Sequence, residues 1–162
     1  EAVQAYKITM TTTDPIGSTI YLRDYSTDAW IDLNGNGEKD EGELMSGHYE
    51  RQEFTIRAQT LTIYGKVTDL TCSYSNLTAL DVTKNTELQI LFCYSNAISG
   101  ESMSILVNSL CNRSEVIKGK IYIINTRNAS EKNVCTTAQV DIATAKNWQV
   151  LDNKNWVNYP GS

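Results

Sequence analysis

The hydrophobic positions in residues 67–98 repeat with a spacing of 21 residues. Under this shift Val67 matches Leu88, Leu70 matches Leu91, Cys72 matches Cys93, Leu77 matches Ile98, and Ser75 falls opposite Asn96. A fixed period of this size is typical of a solenoid, in which each turn places a short strand beside the preceding one. The pattern predicts two such turns and favours recognition over catalysis, because a solenoid turn presents a surface.

Strand alternation divides the repeat region into inward and outward positions. The predicted core comprises Leu70, Cys72, Leu77, Leu80, Leu88, Leu91, Cys93 and Ile98. The predicted ligand-binding set, which should face outward, is Thr71, Ser73, Phe92 and Tyr94. An alternative stays open here, since Phe92 and Tyr94 could simply cover a neighbouring turn.

The segments on either side of the repeats have different periodicities. Residues 1–66 contain short alternating runs, such as Ile8 with Met10 and Ile20 with Leu22, and predict a β-rich N-terminal cap. Residues 99–162 show helical spacing first, then a buried strand at Gly119–Ile124. Thr136 and Gln139 form a capping box for a second helix, and a last strand begins near Trp148. We therefore expect three segments: 1–66, 67–98 and 99–162, the last a helix–strand–helix–strand cap.

Composition excludes several classes of partner. The 162 residues carry a formal charge of -5 without a cluster of Lys and Arg, which argues against nucleic acid as the ligand. No hydrophobic run is long enough to span a membrane. The first residue is Glu1, as in a mature exported protein whose signal peptide has been removed. Four cysteines allow two disulfides by number, but Cys72 and Cys93 fall at inward positions, so we expect four free thiols.

The repeat sequence in residues 70–96 resembles the internalin-like leucine-rich repeat surface proteins of Bacteroidetes, which are related to Porphyromonas internalin J. The likeness extends to residues 119–126 and 133–140, which are similar to the family's terminal cap, and to residues 30–37. It implies an α/β fold: a short leucine-rich-repeat solenoid with an N-terminal β cap and the C-terminal cap given above. It also implies a secreted or cell-surface protein of adhesion, whose ligand is a protein or glycan on a host or neighbouring cell. The alternative is a carbohydrate-binding module whose aromatic platform uses Tyr64, Phe92, Tyr94 or Tyr122.

An acidic loop at residues 32–43 matches the spacing of a twelve-residue calcium loop. The predicted metal ligands are Asp32, Asn34, Asn36, the carbonyl of Glu38, Asp40 and Glu43, with Gly37 at the sharp turn. Lys39 stands where a paired EF-hand has an aliphatic residue, and the preceding run looks like a strand, so we expect a single structural calcium loop. The alternative is a plain hairpin turn with solvated acids, because Asn34-Gly35 and Asn36-Gly37 both favour turns.

The sequence does not predict an enzyme. The single histidine, His48, lies in a polar stretch without a nucleophile motif, and the repeat cysteines should be buried and unreactive. No phosphate-binding loop, G-x-S-x-G elbow, H-E-x-x-H or C-x-x-C motif occurs. We therefore expect a non-catalytic binding protein.

Overall fold

A computed structural model describes residues 6–162. Within this range the chain forms nine strands and two helices, as follows: β1 Lys7–Thr12, β2 Thr19–Asp32, β3 Gln52–Thr55, β4 Thr60–Thr71, β5 Leu77–Asp81, β6 Ile90–Phe92, α1 Gly100–Ser109, β7 Gly119–Ile124, α2 Thr137–Ala145, β8 Trp148–Asp152 and β9 Val157–Asn158. All the described strands belong to one mixed sheet with the main order β3-β2-β4-β6-β7-β8-β9, and β1 pairs with both β4 and β5.

The predicted leucine-rich-repeat solenoid is wrong. The 21-residue spacing does pair Leu70 of β4 with Leu91 of β6 in parallel. However, Leu91 pairs next with Ile121 and Ile121 with Val150, at spacings of 30 and 29 residues. A solenoid needs a constant repeat, and here the N-terminal strands instead join the same sheet by antiparallel pairing with β4. The result is a mixed sheet that, over the described residues, carries only two short helices.

The predicted core of the repeat region is confirmed. All eight predicted residues are at most 1% exposed. They belong to a single buried cluster that extends from Ile8 in β1 to Val150 in β8. Strand β4 runs through residues 66 and 67 without interruption. The three-segment division stays a prediction.

The C-terminal elements also follow the expectation locally. Helix α2 begins at the predicted capping box, where the Thr136 hydroxyl accepts from the Gln139 amide and the Gln139 side chain accepts from Thr136. Strand β7 occupies Gly119–Ile124 and begins with a glycine for a steric reason. A Cβ on Gly119 would lie 2.6 Å from the Trp148 ring, so only glycine lets β7 approach β8 this closely.

Candidate functional site

A row of side chains crosses one face of the sheet through four neighbouring strands. Arg23 of β2 pairs with Thr71 of β4, Thr71 with Phe92 of β6, and Phe92 with Tyr122 of β7. Directly paired residues project from the same side of a sheet. We call these four residues the outward row. The residues that flank them along the strands, such as Leu22, Leu70 and Leu91, are buried on the opposite side.

Aromatic rings cover the β6–β7 end of this face. The Phe92 and Tyr122 rings stack with centroids 4.2 Å apart and planes inclined by 8°. Tyr94 meets Phe92 edge-on at 6.5 Å, and Tyr74 meets Tyr94 edge-on at 5.7 Å. Phe92, Tyr94 and Tyr122 are half-buried, whereas Tyr74 is 63% exposed. The rings therefore cover one another and still keep part of their surface exposed.

A cleft of about 400 Å³ opens beside these rings, at the β2–β4 end of the face. We call it the tyrosine–arginine cleft, and it is lined by Tyr21, Leu22, Arg23, Arg51, Thr71, Ser73, Tyr74 and Tyr94. Three of the four predicted ligand-binding residues, Thr71, Ser73 and Tyr94, line it. Phe92 lies outside the lining and contacts the cleft through Tyr94. The functional role of the four residues stays a prediction.

The two arginines of the cleft rest against tyrosine rings. The guanidinium carbon of Arg51 lies 3.9 Å from the centre of the Tyr21 ring, which is the distance of a stacked cation–π contact. Arg51 also approaches Glu53 at 3.9 Å, with both side chains mostly exposed. The guanidinium carbon of Arg23 lies 6.0 Å from the centre of the Tyr49 ring, and Arg23 Nη1 donates to the Tyr49 carbonyl at 3.4 Å. The rings thus hold both cations at the cleft.

Sequence reasoning missed five of the residues that line the cleft: Tyr21, Leu22, Arg23, Arg51 and Tyr74. Tyr21 and Arg23 alternate with the buried Ile20 and Leu22, so their outward direction was readable from β2 alone. They lie beside Thr71 because β2 pairs with β4 in antiparallel orientation. No local signal in the sequence reports that pairing.

Hydroxyl groups form the polar part of the cleft. The Tyr49 and Thr71 hydroxyls are 2.5 Å apart in a hydrogen bond. Burial, together with the neighbouring Tyr74, raises the pKa of Tyr94, so its phenol stays protonated. The Ser73 hydroxyl lies close to the Tyr94 phenol and lowers its pKa, but its buried oxygen has no partner in regular hydrogen-bond geometry among the described residues. The cleft therefore offers neutral hydroxyls alongside two guanidinium groups.

The acidic loop contains all six predicted metal ligands in one hydrogen-bond network. Asp32 accepts from the Gly35 amide at 2.7 Å and from the Gly37 amide at 2.8 Å. Asp40 Oδ2 accepts from the Asn34 and Asn36 side chains at 2.8 and 2.9 Å. Asn36 Oδ1 accepts from the Glu38 amide.

Glu43 closes the acidic loop from its far end. Its carboxylate accepts from the Leu33 amide at 2.8 Å and from the Asp40 amide at 2.7 Å. Glu43 is completely buried and Asp32 is 4% exposed. Among residues 6–162, no Lys, Arg or His lies within ion-pair distance of either carboxylate. The alternative prediction was a hairpin turn with solvated acids, and the burial of Asp32 and Glu43 differs from it.

The donor set limits how a cation could bind in the acidic loop. In the part of the chain that the structure describes, no three His, Cys, Asp or Glu side chains converge as a metal-ligand group. Calcium prefers six to eight oxygens, including amide and backbone carbonyl oxygens. Asp32 Oδ2 and both Glu43 oxygens each accept one N–H bond and keep a further lone pair. Asp32 Oδ1 and Asp40 Oδ2 each accept two N–H bonds and have none to spare. The fit thus rests on Asp32 and Glu43 together with the oxygens of Asn34, Asn36 and Glu38.

The four cysteines are free, and the buried ones are unreactive. Cys72, Cys93 and Cys135 are buried, and Cys111 is partly buried. Burial raises the pKa of Cys72 to about 12 and that of Cys135 to about 11. A thiol acts as a nucleophile in its ionised form, so both groups are unsuited to catalysis at neutral pH. His48 lies on the surface, where its backbone bridges to Tyr25.

Comparisons with protein-family models, with curated proteins and with solved structures found no match to this chain. The resemblance to internalin-like proteins stays a prediction. No helix among the described residues is long and apolar enough to cross a membrane.

Proposed function

We propose that this chain is a non-catalytic recognition protein that binds a carbohydrate in the tyrosine–arginine cleft. The observation that carries the proposal is a single concave site that joins tyrosine rings to hydroxyl and guanidinium donors. A volume of about 400 Å³ lies in the range of small-ligand sites, whereas a stable protein interface covers a much broader patch.

The chemistry of the lining matches that of a sugar. A pyranose ring has apolar C–H faces and a rim of hydroxyl groups. Tyrosine rings provide broad apolar contact at a small cost in side-chain entropy, which suits the C–H face. Thr71, Ser73 and Tyr94 offer hydroxyls, and the two arginines offer planar N–H donors for the rim.

Protein recognition remains the second candidate, and one observation favours it. Tyr25 and Tyr74 are 47% and 63% exposed at the edges of the same face. Tyrosine and arginine are enriched in the residues that dominate protein–protein affinity. In either case we propose a secreted or cell-surface setting, with the ligand on a host or neighbouring cell, in keeping with the resemblance to internalin-like proteins.

A glycan array tests the choice between the two candidates. We expect carbohydrate binding by the wild type and its loss in the Tyr21→Ala and Tyr94→Ala variants, since each removes a ring that lines the cleft. Phe92→Ala should weaken binding less, because Phe92 supports Tyr94 from outside. Trp156→Ala is the matched control: this aromatic residue is 72% exposed and does not line the cleft.

The variants need an independent check of folding, for which a melting curve is sufficient. Absence of binding to every glycan, combined with capture of a protein ligand that is lost in Tyr74→Ala, would favour protein recognition. Glycan binding that survives both Tyr21→Ala and Tyr94→Ala would place the site elsewhere and contradict the proposal.

Calcium is the proposed structural cofactor of the acidic loop. The support is the burial of Asp32 and Glu43 without a cationic neighbour among the described residues. Two buried carboxylates in one loop repel each other, and a divalent cation would offset that repulsion.

A further inference from the structure

We propose that the tyrosine–arginine cleft selects a carboxylated saccharide, whose carboxylate is bound by Arg23 and Arg51. This inference rests on the proposed function of carbohydrate recognition and names the chemical class of the ligand.

The charge of the cleft is opposite to that of the whole chain. The formal charge of the chain is -5. Of the eight residues that line the cleft, two are arginines and none is acidic. A concave site lined by one sign of charge raises the local concentration of ligands of the other sign. The cleft therefore favours an anion on a molecule that otherwise repels anions.

The stacking of Arg51 leaves its hydrogen-bonding edge free. Contact with the Tyr21 ring uses the face of the guanidinium plane, at 3.9 Å. The N–H groups point along the edge of that plane, in a fork that matches a carboxylate. Among the described residues the only carboxylate within ion-pair distance of them is that of Glu53, at the long distance of 3.9 Å and on the surface. A stacked but loosely paired arginine is pre-oriented for an external carboxylate.

Arg23 provides a second cation with spare donors. Its Nη1 makes a 3.4 Å bond to the Tyr49 carbonyl, and its other N–H groups have no acceptor among the described residues. The paired positions of Arg23 and Thr71 place this cation next to a hydroxyl on the adjacent strand. A sugar carboxylate at Arg23 would therefore bring ring hydroxyls within reach of Thr71.

The floor of the cleft contains an unpaired polar atom. Ser73 is 8% exposed, and its buried hydroxyl oxygen, although near the Tyr94 phenol, has no partner in regular hydrogen-bond geometry among the described residues. A buried hydroxyl without a partner destabilises a protein unless a ligand or water supplies the missing bond. A saccharide hydroxyl can both donate and accept, so it fits this position.

Glu53 competes with the proposed ligand. It pairs with Tyr21 across β2 and β3, on the face of the sheet that carries the cleft, and it approaches Arg51. Removing its charge in the Glu53→Gln variant should free Arg51 and strengthen the binding of an acidic saccharide. A neutral saccharide should bind equally well to both proteins, because the competition is electrostatic.

Calorimetric titration with matched probes tests the inference. Hexagalacturonate and its fully methyl-esterified form share one carbohydrate chain and differ in charge. We expect the wild type to bind the acid about tenfold more tightly than the ester, as charge-assisted hydrogen bonds predict. Sialyllactose with lactose as its neutral control, run in parallel, distinguishes a terminal acidic sugar from a uronate chain as the source of the carboxylate.

Variants assign the preference to the two arginines. Arg23→Met and Arg51→Met should each reduce the preference for the acid, and the double variant should bind acid and ester equally. Arg51→Lys should retain part of the preference, because lysine keeps the charge and loses the fork. Arg57→Met, which removes an exposed arginine outside the cleft, should behave like the wild type.

The possible failures of this inference and of the proposed function are distinct. Equal binding of acid and ester by the wild type would overturn the carboxylate inference and leave carbohydrate recognition intact. A preference that persists in the folded double variant would also overturn it.

Binding of none of these saccharides would overturn the inference. Glycan-array binding of another sugar would then still support the proposed function. Tighter binding of a hexaglutamate peptide than of either acidic saccharide would assign the arginines to a protein ligand instead.

Discussion

Asp24 is a fully buried carboxyl group in the middle of β2. Its Oδ2 accepts a hydrogen bond from the Ser26 hydroxyl at 2.5 Å, whereas Oδ1 has no partner among the described residues. Burial raises the pKa of Asp24 above its usual value, and the Ser26 hydrogen bond opposes this shift. The Gly47 amide and His48 also favour the charged form, although neither donates a hydrogen bond to Oδ1. The folded protein therefore holds this proton more tightly than the unfolded chain does.

The Asp24→Asn variant tests this pKa shift. Because the folded-state pKa of Asp24 is raised, its stabilising contribution is complete below the unfolded pKa and is lost as pH rises through the folded pKa. The asparagine cannot ionise, so the variant should gain stability relative to the wild type between pH 4 and pH 7. Urea unfolding at both pH values measures the difference. Ser26→Ala removes a hydrogen bond to the charged form and so raises the pKa of Asp24 further. The free energy of unfolding of this variant should therefore fall more steeply with rising pH than that of the wild type. An unchanged difference between Asp24→Asn and wild type at the two pH values would contradict the shift.

At the scale of elements, buried asparagine side chains hold the ends of the parallel strands. Asn96 Oδ1 accepts from the Ser75 and Leu77 amides, both at 3.0 Å. Its Nδ2 donates to the Cys72 carbonyl at 3.1 Å and to the Cys93 carbonyl at 2.9 Å. One buried side chain therefore satisfies backbone groups that follow both β4 and β6, where neither strand continues.

The Asn96→Ala variant should be strongly destabilised. It leaves at least two buried amides and two carbonyls without partners, and each such loss costs about 1–3 kcal/mol before relaxation. Because the backbone can relax and admit water, we expect a fall of about 3 kcal/mol in the free energy of unfolding. Asn108→Ala is the control, since Asn108 is exposed on α1 and its side chain bonds only to the Ser104 carbonyl of its own helix. If the free energy of unfolding of Asn96→Ala falls by less than about 1 kcal/mol, water replaces the hydrogen bonds of the Asn96 side chain.

The same elements show how far the sequence predicts this fold. The pairing of Leu70 with Leu91 could be predicted, because the two strands share one pattern at a fixed short spacing. The pairing of Arg23 with Thr71 could not, because it joins distant segments whose alternation fits several partners and registers. The solenoid prediction extended the 21-residue spacing of β4 and β6 to the following strands, β7 and β8, which have longer spacings. The same gap hid Tyr21, Leu22 and Arg23, since the cleft forms where β2 meets β4.

At the scale of the whole molecule, the acidic loop is fastened to the single core from two sides. The Ile31 amide donates to the Glu43 carbonyl at 2.8 Å, which joins the end of the loop to β2. The Arg57 amide donates to the Leu33 carbonyl at 2.8 Å, which joins its start to the segment after β3. Ile31 and Leu33 belong to the buried cluster that continues to β8. Stabilising the loop should therefore raise the melting temperature of the whole described fold.

Calcium should stabilise the folded protein by mass action. At a free concentration one hundred times the dissociation constant, an ion that binds only the folded state contributes about 2.7 kcal/mol. For a chain of this length this gain raises the melting temperature by roughly 5 to 10 °C. Differential scanning calorimetry of chelator-stripped protein, with and without calcium, measures the shift, and added chelator should reverse it. Magnesium should produce a smaller shift, because it requires a tighter octahedron of ligands.

Substitutions at the acidic loop separate the effect of calcium from general destabilisation. Glu43→Gln and Asp32→Ala each remove a buried carboxylate, so both variants should lose the calcium-dependent shift whatever their own melting temperatures. Glu41→Gln is the matched control, because this exposed acid lies in the same loop outside the predicted ligand set, and it should keep the full shift. If millimolar calcium leaves the wild-type melting temperature unchanged, the buried carboxylates only accept hydrogen bonds from the backbone amides of the loop and bind no calcium. The loop is then a turn closed by its own hydrogen bonds.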